Sequence, residues 1–275
     1  MRLALLHPGA MGATIGATLV ASGHEVHWLR PDRSQSTAGR AMKAGLTADD
    51  SLADLLHGCE GLISVCPPSA AVAVAETIVA EGYAGVYLDA NAIAPATART
   101  LHQLLGERFV DGGIIGPPAH RPGTTRLYLS GEPAAAVADW FTDDRLGVHM
   151  VPGAAGSASA LKMCYAAYTK GTSALLLAIR ALARAEGVDE SLQDEWRLSQ
   201  PELGPRSESA GRSTAGKAWR FVGEMEEIAA TFEARDLPGG FHHAAGEIYR
   251  RISDLKDVAD PDLAAVIRSL LSEAD

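Results

Sequence analysis

The chain has 275 residues, of which 47% are hydrophobic and 21% charged, and its formal net charge is -10 at pH 7. This composition is typical of a globular protein with a large core, and the acidic charge argues against nucleic acid or an anionic membrane surface as a partner. Three cysteines without a CxxC pair, Cys59, Cys66 and Cys164, argue against a disulfide framework or a zinc site and favour a reducing cytoplasm. We find no apolar run of the roughly 18 uncharged residues that a membrane helix requires.

Short runs rich in Val, Ile and Leu alternate with Ala-rich segments of helical period from residue 1 to about 150. This alternation predicts repeated strand–helix–strand units, and therefore a doubly wound α/β domain with a mainly parallel sheet. The predicted strands cover residues 3–6, 25–29, 62–66, 85–88, 108–110, 126–129 and 147–151.

The sequence pattern changes after Pro152 and Gly153. Apolar residues recur at helical spacing over 157–186, which predicts one long helix. Residues 199–216 are rich in Gly, Ser and Pro and are predicted as a loop. Because further helices are predicted over 217–234, 241–252 and 261–272, we place an α/β domain at 1–152 and an all-helical domain at 153–275.

A glycine-rich turn follows the first predicted strand and opens a helix, in the order His7-Pro8-Gly9-Ala10-Met11-Gly12. Gly9 and Gly12 occupy the second and third glycine positions of a GxGxxG motif, while His7 replaces the first. Gly9 would let the backbone approach a pyrophosphate, and the N–H groups at Ala10, Met11 and Gly12 would face it at the positive end of the helix. A tight turn without a ligand is the alternative, but a second strand soon after the helix favours a dinucleotide site.

The residues after the second strand indicate which dinucleotide is bound. An NAD site usually has an acidic residue here, whereas this chain has Arg30, Arg33 and Ser34, which suit a 2′-phosphate. Asp32 is the competing candidate for NAD, although its place after Pro31 is more typical of a turn. The arginines could also be ordinary surface residues. We expect NADP(H) rather than NAD(H).

The glycine turn, the segment 23–26 and the basic residues at Arg30 resemble the β-hydroxyacid dehydrogenase family, which includes 6-phosphogluconate dehydrogenase, 3-hydroxyisobutyrate dehydrogenase and the imine reductases. The resemblance spans nearly the whole chain and implies a Rossmann domain, a long interdomain helix and a helical domain that helps to form a homodimer. Four further segments match the family. Segment 65–68 would place Cys66 and Pro67 under the nicotinamide half of the cofactor, and segment 89–95 matches a second family motif. Segment 111–117 corresponds to the substrate loop, with Gly116 and Pro117, and segment 156–162 ends in the family's catalytic lysine, Lys162.

The chain also departs from the family pattern, so that the substrate cannot be carried over. Asn91 replaces a hydroxyl residue, Ile115 and Pro117 replace a serine and a glycine, and Ala166 replaces an asparagine. The segments 116–118, 162–171 and 241–247 are more similar to a branch that has a carboxyl-terminal domain of unknown function.

Hydride transfer to or from a carbonyl carbon requires a group that moves a proton at the oxygen and stabilises its charge. The resemblance gives this role to Lys162, whereas an arbitrary lysine would more often be a surface residue. Asn91 could contact the substrate or the carboxamide of the nicotinamide, or could instead form an Asx turn. Tyr165 and Lys170 are further candidate substrate contacts, either of which could replace the missing asparagine. His242 could bind an anionic substrate, or it could be a half-buried helix residue without a role in binding.

These observations predict a cytoplasmic NADP(H)-dependent oxidoreductase that acts on a small polar, carboxylated alcohol or its carbonyl, without a metal. An imine reductase is the second hypothesis, although the retained Lys162 favours the alcohol, since the family's imine reductases commonly lack it. A non-catalytic NADP-binding module is the third hypothesis, and such a module would have no need of Lys162.

Overall fold

The computed structural model describes residues 1–258 and 260–272. The chain divides into two compact units, of which the first comprises Met1–Met163 and the second begins at Cys164. The first unit contains one eight-stranded sheet, with strands β1 (Arg2–Leu6), β2 (Glu25–Leu29), β3 (Thr47–Asp49), β4 (Gly61–Ser64), β5 (Val86–Asp89), β6 (Phe109–Ile115), β7 (Thr125–Ser130) and β8 (Leu146–Met150).

The strand order is β3-β2-β1-β4-β5-β6-β7-β8, so the chain reverses direction along the sheet at β1. All neighbours are parallel except β6 and β7, which are antiparallel. The predicted doubly wound, mainly parallel sheet is therefore confirmed. In such a sheet the carboxyl ends of the parallel strands meet at one edge, beside the reversal point, which is where ligands bind in this class of fold.

Helices cover both faces of the sheet, and for this reason its central strands, such as β1 and β4, are continuously buried rather than alternating. Leu3 and Leu5 face one hydrophobic cluster with Ile15 and Leu19, while Ala4 and Leu6 face another on the opposite side. The helices of this unit are α1 (Ala10–Ala21), α2 (Gln35–Lys43), α3 (Leu52–Leu56), α4 (Ala71–Ala80), α5 (Pro95–Leu105) and α6 (Ala134–Ala138).

A long helix, α7 (Ser157–Ala185), begins in the first unit and continues into the second. The remaining structure of the second unit is helical, as predicted. Its helices are α8 (Asp189–Ser199), α9 (Leu203–Thr214), α10 (Ala218–Glu233), α11 (Gly240–Arg251) and α12 (Leu263–Leu271).

Two local predictions were wrong. The loop predicted over 199–216 contains α9, and the short edge strand β3 was not predicted at all. Helix α9 forms because its polar side chains are buried against partners: Ser207 accepts a hydrogen bond from Arg180 on α7 at 2.7 Å. Such tertiary contacts override a local composition of Gly, Ser and Pro.

Candidate functional site

The turn between β1 and α1 is too tight for any residue other than glycine at position 12. A Cβ atom on Gly12 would lie 2.5 Å from the carbonyl oxygen of His7, which belongs to the rigid backbone of the same turn. At Gly9, by contrast, the nearest heavy atom to such a Cβ would be the same oxygen at 4.0 Å. The fold therefore requires Gly12, whereas Gly9 leaves open a space that a ligand can approach.

The amino end of α1 is available to an anion. Ala10, Met11 and Gly12 form its first turn, and within the described chain this turn has no acidic residue and Gly9 provides no side-chain cap. The N–H groups at the start of a helix and its positive dipole end bind phosphate in this way. The turn therefore fits the pyrophosphate of a dinucleotide on its own geometry.

The basic segment lies beyond the carboxyl end of β2, the neighbour of β1 in the sheet. Arg30 forms an exposed ion pair with Asp50, with Nε 2.9 Å from Oδ1. Ser34 caps α2 by accepting a hydrogen bond from the backbone N–H of Thr37 at 3.2 Å. Asp32 is exposed in a turn with φ +62°, while Arg33 is half-buried.

The segment after β4 is held by Asn91. The Asn91 Oδ1 accepts a hydrogen bond from the backbone N–H of Cys66 at 2.5 Å, and its Nδ2 donates to Ser64 Oγ at 3.2 Å and Asp89 Oδ2 at 2.6 Å. These contacts tie the carboxyl end of β4 to that of β5 and fix the position of Cys66 and Pro67. Burial raises the pKa of the Cys66 thiol to about 11, so this side chain is neutral at pH 7.

Two fully buried carboxyl groups, Asp89 at the end of β5 and Asp111 within β6, stand side by side in the sheet. Burial raises the pKa of Asp89 to about 7; the nearby Asp111 adds to this rise, and hydrogen bonds from Asn91 oppose it. Sequence reasoning placed both residues in motifs but assigned neither a role.

Asp111 anchors the amino end of α7. Its Oδ2 accepts hydrogen bonds from the backbone N–H groups of Gly156 at 2.9 Å and Ser159 at 3.0 Å, and from Ser130 Oγ at 2.9 Å. Its Oδ1 accepts from Ser159 Oγ at 2.5 Å, and Ser130 Oγ in turn accepts from the N–H of Ala158 at 3.0 Å. One carboxylate thus satisfies the first turn of the helix that carries Lys162.

Lys162 lies one turn beyond Ser159, against the end of β6. Its Nζ donates a hydrogen bond to the carbonyl oxygen of Ile114 at 2.5 Å, and its side chain is partly buried. A Cβ on Gly113 would lie 2.8 Å from the Ala158 carbonyl oxygen and 3.1 Å from the Lys162 Cβ. Glycine at this position therefore permits the close approach of α7 to β6 that places the amine.

The loop after β6 links this region to the glycine turn. Gly116 has φ +127°, and a Cβ there would lie 2.3 Å from the carbonyl oxygen of Thr124, so that glycine is required. The Pro117 carbonyl oxygen accepts from Thr125 Oγ1 at 2.6 Å, and the Ala119 N–H donates to Thr14 Oγ1 on α1 at 3.0 Å. The glycine turn, the Asn91 network and Lys162 thus lie along one edge of the sheet.

The remaining candidates belong to the second unit. Tyr165 and Tyr168 are 47% and 63% exposed, so neither is core packing. Lys170 forms an ion pair with Glu224, and its Nζ lies 5.0 Å from the centre of the Phe221 ring. Sequence reasoning missed this pairing because the two residues are 54 positions apart.

His242 is 5% exposed, and its Nδ1 has no hydrogen-bond partner in the described structure. Burial lowers its pKa, with a further contribution from His243. Within residues 1–258 and 260–272 we find no cluster of three or more His, Cys, Asp or Glu side chains suited to a metal ion. In the same part of the chain, no helix is long and apolar enough to cross a membrane.

Several known proteins are similar to this chain at low identity. Residues 183–252 match a family model described as a domain of unknown function, DUF1932. An uncharacterized 28.5 kDa protein of Methanothermus fervidus is 28% identical over 70% of this chain and 75% of that protein. A probable 3-hydroxyisobutyrate dehydrogenase of Mycobacterium bovis is 26% identical, with 99% of each chain covered. A conserved protein of unknown function, whose structure resembles 3-hydroxyacid dehydrogenases, is 27% identical with a TM-score of 0.68, covering 93% of this chain and 98% of that one.

Other solved structures share the fold at lower identity. The 3-hydroxyisobutyrate dehydrogenase of Mycobacterium tuberculosis, solved with L-serine, has a TM-score of 0.72 at 21% identity, covering 98% of this chain and 99% of that one. Psf3 in complex with NADP+ has a TM-score of 0.65 at 20% identity, with 98% and 100% covered. An imine reductase of Streptomyces aurantiacus has a TM-score of 0.55 at 19% identity, with 99% and 100% covered.

The chain is thus an α/β protein with a dinucleotide-binding type of sheet and a helical second unit, the fold shared by 3-hydroxyacid dehydrogenases and imine reductases. It carries the DUF1932 domain in its carboxyl-terminal part, and the resemblance to the β-hydroxyacid dehydrogenase family, in the branch with this domain, is confirmed.

Proposed function

We propose that the protein is an NADP(H)-dependent oxidoreductase that interconverts a small polar, carboxylated alcohol and its carbonyl, with Lys162 as the general acid and base. The observation that carries the proposal is the placement of the Lys162 amine. Its Nζ lies 2.5 Å from the Ile114 carbonyl oxygen, at the end of a sheet strand and along the same edge as the glycine turn.

The chemistry divides between a cofactor and the chain. A nicotinamide cofactor, held by the glycine turn and the residues after β2, would supply or accept the hydride. Lys162 would donate a proton to the substrate oxygen during reduction, or accept it during oxidation, and its positive charge would stabilise a developing alkoxide. Asp111 would keep Lys162 in place through the hydrogen bonds it accepts from Gly156 and Ser159 at the start of α7.

The choice of NADP(H) rests on the residues after β2. Arg30, Arg33 and Ser34 follow that strand and can bind a 2′-phosphate, while Asp32 lies exposed in its turn. The similarity in fold to Psf3, which was solved with NADP+, supports this choice. The contacts of Asn91 suggest that it positions Cys66 and Pro67 beside the nicotinamide rather than reaching the substrate itself.

We also propose that the protein is a homodimer of the cytoplasm. The free cysteines suit a reducing compartment.

Helix α7 exposes Tyr165, Tyr168, Leu175 and Leu182 at intervals of three and seven residues, which places them on one face of the helix. A row of large exposed apolar side chains of this kind marks a protein interface, and a second copy of the chain is the partner that we assign to it.

The test of the function is a screen of hydroxyacids, sugar acids and imines for a change in nicotinamide absorbance, followed by Lys162→Ala. We expect turnover to fall by about 100-fold or more while NADPH affinity changes little, since the amine acts on the substrate. Lys217→Ala is the matched control, because Lys217 is exposed. An unchanged rate in Lys162→Ala would refute the role of the lysine.

The same screen separates the alternatives. Reduction of imines that survives the loss of Lys162 would favour an imine reductase, an activity known for a protein of this fold. Cofactor binding without turnover of any tested class would favour a non-catalytic module. For the cofactor, Arg30→Asp should abolish a preference for NADPH over NADH, and equal affinity of the wild type for both would contradict the assignment.

A further inference from the structure

His7 adopts a backbone conformation that residues other than glycine rarely take. It stands at the first position of the glycine turn with φ +67°, in the left-handed region. A glycine would take this conformation without strain. The turn itself therefore gives no reason for an imidazole, and non-glycine residues held in this region are concentrated at functional sites.

The side chain of His7 also has an unsatisfied polar atom. Its Nδ1 is buried without a hydrogen-bond partner in the described structure, and the same holds for the Nε atoms of Arg33 and Arg40. Buried nitrogen atoms normally have a partner. Three such atoms in neighbouring segments indicate a place where a ligand supplies the hydrogen-bond partners.

These three side chains belong to neighbouring segments, one after β1 and two after β2. His7 follows β1, which pairs with β2. The positive charge of Arg33 is near enough to the His7 ring to help lower its pKa. Arg40 donates to Thr37 Oγ1 at 3.0 Å, and that oxygen lies 3.1 Å from Ser34 Oγ, next to Arg33. The cluster therefore adds two buried nitrogen atoms without a partner, His7 Nδ1 and Arg40 Nε, to the residues already assigned to a 2′-phosphate.

The charge state of His7 suits this position. Burial lowers its pKa to about 4, with a further contribution from Arg33 and a smaller opposing effect of the Leu6 backbone. The free protein therefore holds a neutral imidazole, with one N–H donor and one acceptor. A phosphate dianion bound to Arg33 would reverse the local field and favour protonation of the ring.

We propose that His7 contacts the 2′-phosphate of bound NADP(H) and thereby discriminates NADP(H) from NAD(H). This inference rests on the proposed cofactor. Any proton that the imidazole gains on binding comes from solvent and stays on the ring, where it is shared with a phosphate oxygen.

The test uses two small probes that differ in one group, adenosine 2′,5′-bisphosphate and 5′-AMP. The titration of His7 is followed by NMR in protein labelled with ¹³C at the histidine Cε1, and the resonance is assigned by its loss in His7→Gly. We expect the bisphosphate to raise the pKa of His7 by one unit or more, and 5′-AMP to leave it near its value in the free protein.

Binding constants of variants provide the second measurement. His7→Gly should bind the bisphosphate at least about fivefold more weakly, as expected for the loss of a hydrogen bond to a charged group, with less than twofold change for 5′-AMP. Glycine accepts φ +67°, so this variant keeps the turn. His57→Gln is the control at an exposed histidine, and both constants should stay within twofold of the wild type.

The failures of the two proposals are distinguishable. Tight binding of the bisphosphate with no change in the His7 titration, or equal weakening of both probes by His7→Gly, would overturn the role of His7 and leave the NADP(H) assignment in place. Failure of the bisphosphate to bind more tightly than 5′-AMP would overturn both.

Discussion

Gly9 and Gly12 lie three positions apart in one turn, yet they are glycines for different reasons. Gly12→Ala would put a methyl group 2.5 Å from the backbone oxygen of His7, whereas Gly9→Ala would put one in open space. We expect Gly12→Ala to lower the free energy of unfolding by about 1–3 kcal/mol, as overpacking does. Gly9→Ala should leave stability within about 0.5 kcal/mol of the wild type and weaken NADPH binding by roughly tenfold or more.

The measurements are denaturant unfolding and a fluorescence titration with NADPH. Each variant is the control for the other, because they differ only in whether the added methyl group meets the protein or the space assigned to the cofactor. A Gly9→Ala protein that binds NADPH as well as the wild type would show that the pyrophosphate lies elsewhere.

Asp89 should make the protein less stable as the pH rises. Its pKa is raised to about 7 in the folded state, against about 3.9 in an unfolded chain. Between these two pKa values the folded state holds a proton that the unfolded state releases. The contribution of Asp89 to the free energy of unfolding is therefore fully present below about pH 4 and is lost as the pH approaches 7. Asp89→Asn removes this dependence, and its stability relative to the wild type should rise over that range by at most about 1.4 kcal/mol per pH unit.

Asp143→Asn is the control of opposite sign. A hydrogen bond from Arg145 lowers the pKa of Asp143, so that its contribution to stability is present above the unfolded value and is lost in acid. The stability of this variant relative to the wild type should therefore fall as the pH rises through about 4. Unfolding curves from pH 2 to pH 8 cover both effects, with Asp143 changing below about pH 4 and Asp89 above it. A flat difference for Asp89→Asn would show that Asp89 is ionised throughout.

At the scale of the elements, the sheet was predictable because most of its strands are short runs rich in Val, Ile and Leu that are separated by helical segments. Helix α9 was not, since its stability comes from contacts with distant parts of the chain. Gly211 lies so close to α12 that a Cβ would be 2.9 Å from the Leu263 Cα, and Ser207 bonds to Arg180. Local composition carries no information about such partners.

The same distinction applies to the candidate site. Gly12 could be predicted to be necessary from its spacing alone, because the packing of strand and helix requires a glycine there. The role of Asp111 could not be predicted, because its carboxylate accepts hydrogen bonds from the backbone N–H groups of Gly156 and Ser159, which lie 45 and 48 residues later in the chain. A sequence motif can indicate residues suited to contact a ligand. The groups that position those residues can be identified only from the folded structure, because they lie far away in the sequence.

The exposed face of α7 leads to a prediction about assembly. Leu175 is one of the exposed apolar residues of this helix, and its exposed fraction is 44%. An aspartate at this position should therefore change the free energy of unfolding of the single chain little. Placed in an interface between two copies, the same charge would be buried without a partner. Leu175→Asp should therefore be a monomer, as measured by light scattering after size exclusion, while Leu198→Asp on α8, at an 84% exposed position, should match the wild type. A dimeric Leu175→Asp would place the interface elsewhere.

At the scale of the whole molecule, the chain carries 34 acidic and 24 basic side chains, so its overall field repels an anionic cofactor. Binding of the proposed cofactor would then depend on a local group of cations and on the amino end of α1. Arg30, Arg33 and Arg40 supply such a group near the end of β2. Because exposed charges are screened by salt, the affinity for NADPH should fall with ionic strength more steeply than that for NADH.

Cofactor binding should also stabilise the folded protein, since only the folded chain presents the glycine turn. NADPH at 100 times its dissociation constant should add about 2.7 kcal/mol to the free energy of unfolding, which corresponds to a rise of roughly 5–10 °C in the thermal midpoint. The same concentration of NADH should give a smaller rise. Lys162→Ala should keep the NADPH effect, because its amine is assigned to the substrate, whereas Gly9→Ala should lose it. If NADPH leaves the midpoint of the wild type unchanged, the sheet edge does not bind this dinucleotide.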